Sequence, residues 1–257
     1  MASTALITGA SAGIGQYLAR EFASNGHNLI LVARREAPMQ LLADELTSQF
    51  DIAVDVHAAD LCERDAADDL FTSVEDTPVD ILVNNAGVLS GGAFAKMDAS
   101  AVDNMTMLNV QTLTDLCHRF IPPMVSRGYG RVLNVASVAA FQPVPKLAVY
   151  AATKAYVLSL SEGLHVELAS RGVTVTALCP GYTDTEMLRG PVAASGGGIK
   201  IPEFTVLDPA RVAADGYAAC MSGDALKVPG LGYATAMATT RLLPKWLVRR
   251  IAGMANG

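Results

Sequence analysis

The chain contains no Cys-x-x-C pair, and its four cysteines (Cys62, Cys117, Cys179 and Cys220) lie far apart. That argues against a dithiol redox motif or a zinc ribbon, and predicts reduced, buried, inert thiols in a cytoplasmic setting. His27, His57, His118 and His165 show no metal-ligand spacing, so no metal site is expected. Charge is scarce, at 17% of residues, yet the longest uncharged stretches, such as 81–95, are too short and too rich in Gly and Asn to cross a bilayer. Residues 1–4 run into an apolar segment with no charged leader, and no secretory signal is expected. A net charge of −6 and a pI of about 5.2 leave no basic patch for nucleic acid. Neither an internal repeat nor a linker is visible, which predicts one domain over 1–257.

What the chain does have is apolar content, 51% of residues with a mean hydropathy of +0.32. Strand-like runs recur at 5–8, 29–32, 54–57, 81–84, 132–135, 173–178 and 227–229. Between them lie helix-like stretches at 13–25, 37–49, 63–74, 100–127, 148–171 and 208–222. This alternation predicts an α/β fold, a Rossmann-like doubly wound parallel β-sheet of about seven strands with helices on both faces. Ligands of such sheets bind at the carboxyl ends of the strands. Residues 181–207, containing Ser195-Gly-Gly-Gly, are too long for an ordinary connection and are expected to form a substrate lid. The tail at 236–257 is basic and amphipathic between Arg241 and Met254, a pattern suited to packing on the body or another subunit, or to a membrane surface.

The first strand runs into Thr8-Gly-Ala-Ser-Ala-Gly-Ile-Gly15 and then a helix. Glycines at this spacing permit a tight turn and let backbone N–H groups approach a pyrophosphate at the helix N-terminus. The same residues spell Gly-x-Ser-x-Gly, the nucleophile elbow of α/β-hydrolases. An elbow so early leaves almost no chain before it, and no histidine sits in a suitable loop, so that reading is set aside. The second strand ends at Val32-Ala-Arg-Arg35 with no carboxylate in those positions. Cations there suit the 2′-phosphate of NADP(H), whereas an acidic residue would suit NAD.

Tyr150 and Lys154 stand at i and i+4 on one helix face, thirteen residues after Ser137. A phenol, an ammonium and a hydroxyl can together move one proton. The nearby cation is expected to lower the phenol from about 10, and a drop of roughly three units takes about 4 kcal/mol. Alone the pair is a weak signal; beside a hydride donor it becomes a proton-transfer site.

Together these segments closely resemble the short-chain dehydrogenase/reductase family, in its compact single-domain branch, over nearly the whole chain. The match runs through Thr8–Gly15, Asn84-Asn-Ala-Gly87, Asn109, Ser137, Tyr150-x-x-x-Lys154 and Pro180-Gly181. The resemblance implies a catalytic set of Asn109, Ser137, Tyr150 and Lys154. Tyr150 would be the general acid/base, Lys154 would lower its pKa and hold the nicotinamide ribose, Ser137 would bind the substrate oxygen, and Asn109 would anchor a relay water. Gly9, Ser11, Gly13, Ile14 and Gly15 would cradle the cofactor. Arg34 and Arg35 would meet its 2′-phosphate, and Asp60 and Leu61 its adenine. Asn85, Ala86 and Gly87 would line the cleft, and Pro180, Gly181, Thr183 and Thr185 would surround the nicotinamide and nearby phosphate.

The resemblance thus implies NADP(H)-dependent hydride transfer on a ketone, an aldehyde or a secondary alcohol, by a homodimer or homotetramer. The apolar run 138–145 after Ser137, with Met187 and Leu188, favours a moderately apolar substrate; Arg189 and Lys200 could instead hold an acidic tail. A catalytically silent NADP-binding regulator and a membrane-associated lipid or ketoacyl reductase are the alternatives.

Overall fold

The computed structural model describes residues 2–189 and 202–256, with 254–256 as backbone only. Among the described residues, the strands are β1 (Thr4–Thr8), β2 (Asn28–Ala33), β3 (Val54–Ala58), β4 (Ile81–Asn84), β5 (Gly130–Val135), β6 (Val173–Leu178) and β7 (Leu226–Lys227). They pair in parallel in the order β3-β2-β1-β4-β5-β6-β7. The inner strands are largely apolar because both faces are buried, as at Leu29–Ala33 and Ile81–Val83, whereas the edge strand β3 is partly exposed and carries Asp55 and His57. Successive side chains alternate: Leu6, Ile30, Leu82 and Val132 face one layer of the core, and Ala5, Ile7, Leu29, Leu31 and Leu133 face the other. Each fully buried Leu or Ile contributes about 1.5–3 kcal/mol.

The second core layer is closed by α1 (Gly13–Ser24), α2 (Glu36–Gln49) and α7 (Pro209–Ser222). The first is closed by α3 (Ala66–Ser73), α5 (Leu113–Arg127) and α6 (Ala148–Leu168). Strand order reverses between β1 and β4, and this switch point opens a crevice at the carboxyl ends of both.

Most expected boundaries shift by one to three residues, and some differences go further. The third helix starts at Ala66, because residues 60–65 are spent on tight turns such as Glu63 N–H to Asp60 O at 3.1 Å. The expected helix over 100–127 is three pieces: α4 (Ala99–Thr106), a π-helical segment (Met107–Thr112) and α5. β7 begins one residue early, at Leu226. The expected tail begins inside α8 (Leu231–Leu242), which is followed by α9 (Lys245–Asn256).

The ends of the 181–207 insertion lie side by side. Thr183 pairs with Leu207, and Leu207 N–H donates to Tyr182 O at 2.8 Å. Ser195-Gly-Gly-Gly and Lys200 fall outside the described residues.

Candidate active site

A cleft of about 930 Å³ fills the switch-point crevice. Its floor begins with the turn between β1 and α1. Gly9 has φ +67°, and a Cβ there would lie 2.7 Å from Asn85 Nδ2 and 2.9 Å from Ala86 Cα. A Cβ on Gly15 would overlap the Gly9 carbonyl oxygen. Only glycine lets the turn and helix close this tightly. Ala12, at the N-terminus of α1, offers no side-chain cap, and the first turn of α1 holds no acidic residue. The first N–H groups of α1 therefore have no capping side chain, and Ser11, Gly13 and Ile14 line the cleft beside them. This is a backbone cradle for an anion.

Thr8 and Asn85 stitch the two turns of the crevice together. Thr8 Oγ accepts from Asn85 N–H and Ala86 N–H, each at 3.0 Å, and Asn85 Nδ2 donates to Thr8 O at 2.9 Å. Asn84 turns the other way, into the core, where its Nδ2 donates to Asn134 Oδ1 at 2.9 Å. Asn134 in turn donates to Ser161 Oγ at 2.9 Å, so one buried chain of hydrogen bonds ties β4, β5 and α6.

At the far end of the cleft, Arg34 and Arg35 follow β2, with Asp60 and Leu61 beside them. Arg35 Nη2 reaches Ser11 O at 3.5 Å and Glu186 Oε2 at 3.4 Å. Asp60 Oδ1 accepts from Cys62 N–H at 3.0 Å, while Thr112 Oγ donates to Leu61 O at 2.7 Å.

At the near end, α6 presents Tyr150 and Lys154 to the turn that carries Ser137. Ser137 opens a 3-10 helix (Val138–Phe141), and its Oγ accepts from Ala139 N–H at 3.1 Å. Lys154 is only 5% exposed, and its Nζ donates to Val135 O at 2.8 Å. Burial lowers this ammonium from its ordinary value to about 8. Burial likewise pushes the Tyr150 phenol up to about 12, opposed by the neighbouring Ser137 side chain. This corrects the sequence expectation of a lowered phenol. One of the three ammonium donors is committed to a strand carbonyl, and Nζ lies 5.8 Å from the Tyr150 ring centre, so desolvation wins among the protein's own groups.

Asn109 sits in the π-helical segment, a local widening that often marks functional positions. Its Nδ2 donates to Val88 O at 2.9 Å and to Thr153 Oγ at 3.2 Å, and its Oδ1 accepts from Val88 N–H at 2.9 Å. Both side-chain donors are thus committed, leaving one lone pair on Oδ1 and the main-chain carbonyl for any water. A Cβ placed on Gly87 would lie 3.1 Å from Asn109 Oδ1 and 3.5 Å from Lys154 Nζ. The two side chains therefore face the same small space beside Gly87.

Pro180 and Gly181 lead out of β6 against this site, and Pro180 O accepts from Val138 N–H at 3.0 Å. Thr183 is buried and donates to Gly181 O at 3.1 Å. Thr185 lies over the glycine turn: a Cβ on Gly13 would be 3.3 Å from its methyl. Several lining residues escaped the sequence reading, among them Glu186 and, from α8, Tyr233 and Met237. Tyr233 Oη accepts from Tyr182 N–H at 3.2 Å and donates to Thr205 O at 3.0 Å. No local pattern marks Tyr233 and Met237, because only the tertiary fold brings α8 to the cleft.

The residues present fit a nicotinamide dinucleotide: a backbone cradle for the pyrophosphate, cations at one end, and an ammonium with two hydroxyls at the other. Fold and site together define a dinucleotide-dependent oxidoreductase of the doubly wound α/β class. The chain belongs to the short-chain dehydrogenase/reductase family, whose short chain dehydrogenase model matches residues 3–194. It is 33% identical over 188 residues to the very-long-chain 3-oxoacyl-CoA reductase of Anas platyrhynchos, a stretch covering 71% of this chain but 60% of that protein.

Among solved structures, it is similar to a short-chain dehydrogenase from Sphingobium yanoikuyae in complex with NADPH. The TM-score is 0.83 and the identity 33%, over 93% of this chain and 94% of that one. It is also similar to the bulky-bulky ketone specific alcohol dehydrogenase from Comamonas testosteroni, with TM-score 0.80 and 33% identity over 93% and 92% of the two chains.

Proposed function

We propose that this protein is an NADP(H)-dependent oxidoreductase interconverting a moderately apolar ketone or aldehyde and the matching alcohol, with Tyr150 as general acid/base. The observation that carries this reading is the convergence of Ser137, Tyr150 and Lys154 at one end of a cleft whose other end holds the Gly9–Gly15 turn and Arg34 and Arg35. A bound nicotinamide supplies the hydride to the carbonyl carbon. Tyr150 gives its phenolic proton to the carbonyl oxygen, which Ser137 holds by a hydrogen bond. Lys154 holds the nicotinamide ribose and returns the proton through the space shared with Asn109 beside Gly87.

A phenol held near 12 is protonated at neutral pH, the form that can give a proton during reduction. Arg34 and Arg35 favour a 2′-phosphate, and the Sphingobium relative is described with NADPH. Gly9, Ser11, Gly13, Ile14 and Gly15 bind the pyrophosphate. Asp60 and Leu61 face the adenine, Asn85, Ala86 and Gly87 the ribose side, and Pro180, Gly181, Thr183 and Thr185 the carboxamide and adjoining phosphate.

Val138, Val144, Leu147, Met187, Leu188 and Met237 give the substrate end apolar walls. Arg189 is paired with Asp184 at 2.9 and 2.8 Å, which argues against its holding an acidic tail. In this reading the chain acts as one cytoplasmic domain, in a homodimer or homotetramer, with 181–207 as the lid.

A panel of carbonyls and alcohols followed by NADPH absorbance tests the proposal. Turnover of apolar ketones is expected. Tight NADPH binding with no turnover across the panel would favour the catalytically silent regulator instead.

A further inference from the structure

Helix α8 has two working faces. Tyr233 and Met237 point into the cleft. On the opposite side Leu231, Thr235, Ala238 and Leu242 follow one another at i, i+4, i+7 and i+11, all exposed and none charged. Leu231 and Leu242 are 85% and 86% exposed, far more than a soluble surface needs to show on one helix. Phe204, which is 89% exposed, lies next to Thr205, and Thr205 is bonded to Tyr233.

Helix α9 follows α8 after Leu243 and Pro244 and also turns polar and aromatic side chains outward. Val248 and Ala252 are buried, while Trp246, Arg249 and Arg250 are exposed, with the two arginines three and four residues after the tryptophan on one outward face. Beyond Asp224 the sequence carries Lys227, Arg241, Lys245, Arg249 and Arg250 and no Asp or Glu, in a chain of net charge −6. Lys227 is paired with Asp215, and Arg241 with Glu162. Among the described residues, that leaves the positive charge of Lys245, Arg249 and Arg250 near Trp246 in sequence. Among the described residues, no helix is long and apolar enough to cross a membrane.

We propose that α8 and α9 form an interfacial docking surface for an anionic lipid bilayer, and that docking seats the substrate end of the cleft against the membrane. Apolar residues on one helix face, a tryptophan at the polar boundary and cations beside it are the arrangement that lies in the headgroup plane. Met237 lines the cleft and Leu242 faces outward, so one helix thickness, about 10 Å, separates the docked face from the cleft. The docking itself rests on the surface of α8 and α9, and only the delivery of a carbonyl to the cleft rests on the proposed function.

Trp246 is the single tryptophan of the chain and reports on the surface directly. The full-length protein is mixed with vesicles of phosphatidylcholine, alone or with phosphatidylglycerol, and both co-sedimentation and Trp246 emission are read. Binding with a blue-shifted emission is expected on the anionic vesicles only, and it weakens with added salt. Replacing both arginines (Arg249→Gln with Arg250→Gln) lowers that binding about 30-fold, at roughly a kcal/mol per cation near the surface. Leu242→Glu lowers it as well.

The proposal is overturned if the wild-type protein stays in the supernatant with anionic vesicles, or if the double-arginine variant sediments as the wild type does. It is equally overturned if Trp246 emission shifts with protein concentration in the absence of vesicles, since a second copy of the chain then covers the surface.

Discussion

Lys154 Nζ donates to the carbonyl of Val135, 2.8 Å away, at the end of the strand that leads to Ser137. With the Asn134–Ser161 bond further along, this contact ties α6 to β5 and sets Tyr150, a turn earlier on the same helix, beside the Ser137 hydroxyl. The ammonium is held in place by strand backbone and not by a carboxylate.

A stability prediction follows from that burial. The Lys154 pKa is lowered to about 8 from an ordinary 10.5, so the unfolded chain binds more protons between those two values. Folding stability from this group therefore rises as pH increases from about 8 towards 10.5, and below 8 the charged form is a cost on the order of 3 kcal/mol. Lys154→Met is expected to melt higher than the wild type at pH 7, offset in part by the lost bond to Val135, with the gap closing above pH 8. The same variant loses turnover. Thermal melts across pH 6–10 check the first claim, and a variant less stable at every pH would refute it.

Tyr150→Phe tests the proton. Loss of the phenolic hydroxyl is expected to reduce kcat by about 10²–10⁴-fold, with NADPH affinity unchanged. In the wild type, a phenol raised to about 12 by burial is the acid form across the physiological range. Reduction should therefore be nearly flat with pH up to neutrality. Alcohol oxidation, which needs the phenolate, should climb steadily as pH rises. Initial rates in both directions give the profile, and an oxidation rate that plateaus near pH 7 would show that the phenol titrates far lower than burial implies.

Cofactor choice is tested at the other end of the cleft. Arg35→Ala should weaken NADPH binding by about 10–100-fold, the worth of a charged hydrogen bond, and leave NADH binding nearly unchanged. Glu186 competes for the same guanidinium at 3.4 Å, with both side chains more than half exposed. Such pairs contribute little, so Glu186→Gln should tighten NADPH only a few-fold. Fluorescence titrations with both cofactors distinguish these outcomes; equal losses for NADPH and NADH in Arg35→Ala would remove the argument for a 2′-phosphate.

Much of this fold is readable from sequence because strands buried on both faces are apolar with little interruption, as at Leu29–Val32 and Ile81–Val83. The glycine turn is readable because Gly9 and Gly15 stand where no Cβ fits. The π-helical segment at Asn109 is not, since the helical period running through it does not encode one wider turn. Nor are Tyr233 and Met237, which reach the cleft only through tertiary packing. The sign of the Tyr150 shift depends on where the Lys154 ammonium points, and spacing at i and i+4 fixes a shared helix face but not the partner of Nζ.

The base of the 181–207 insertion offers the last test. Tyr233 Oη joins Tyr182 to Thr205, the two sides of that base. Gly181 is where the chain passes under the Tyr233 ring, and a Cβ there would overlap it. Tyr233→Phe should cost about 1 kcal/mol of stability through the lost hydrogen bonds and raise KM for the carbonyl more than it lowers kcat. Gly181→Ala should do worse, because the methyl pushes the ring away from both partners. The two sites share one contact, so their effects should not add: Gly181→Ala combined with Tyr233→Ala should be less damaging than the sum of the single changes, since no ring remains to be displaced. A double-mutant cycle on KM and melting temperature measures this coupling, and strict additivity would mean that the ring and the glycine act independently on the insertion.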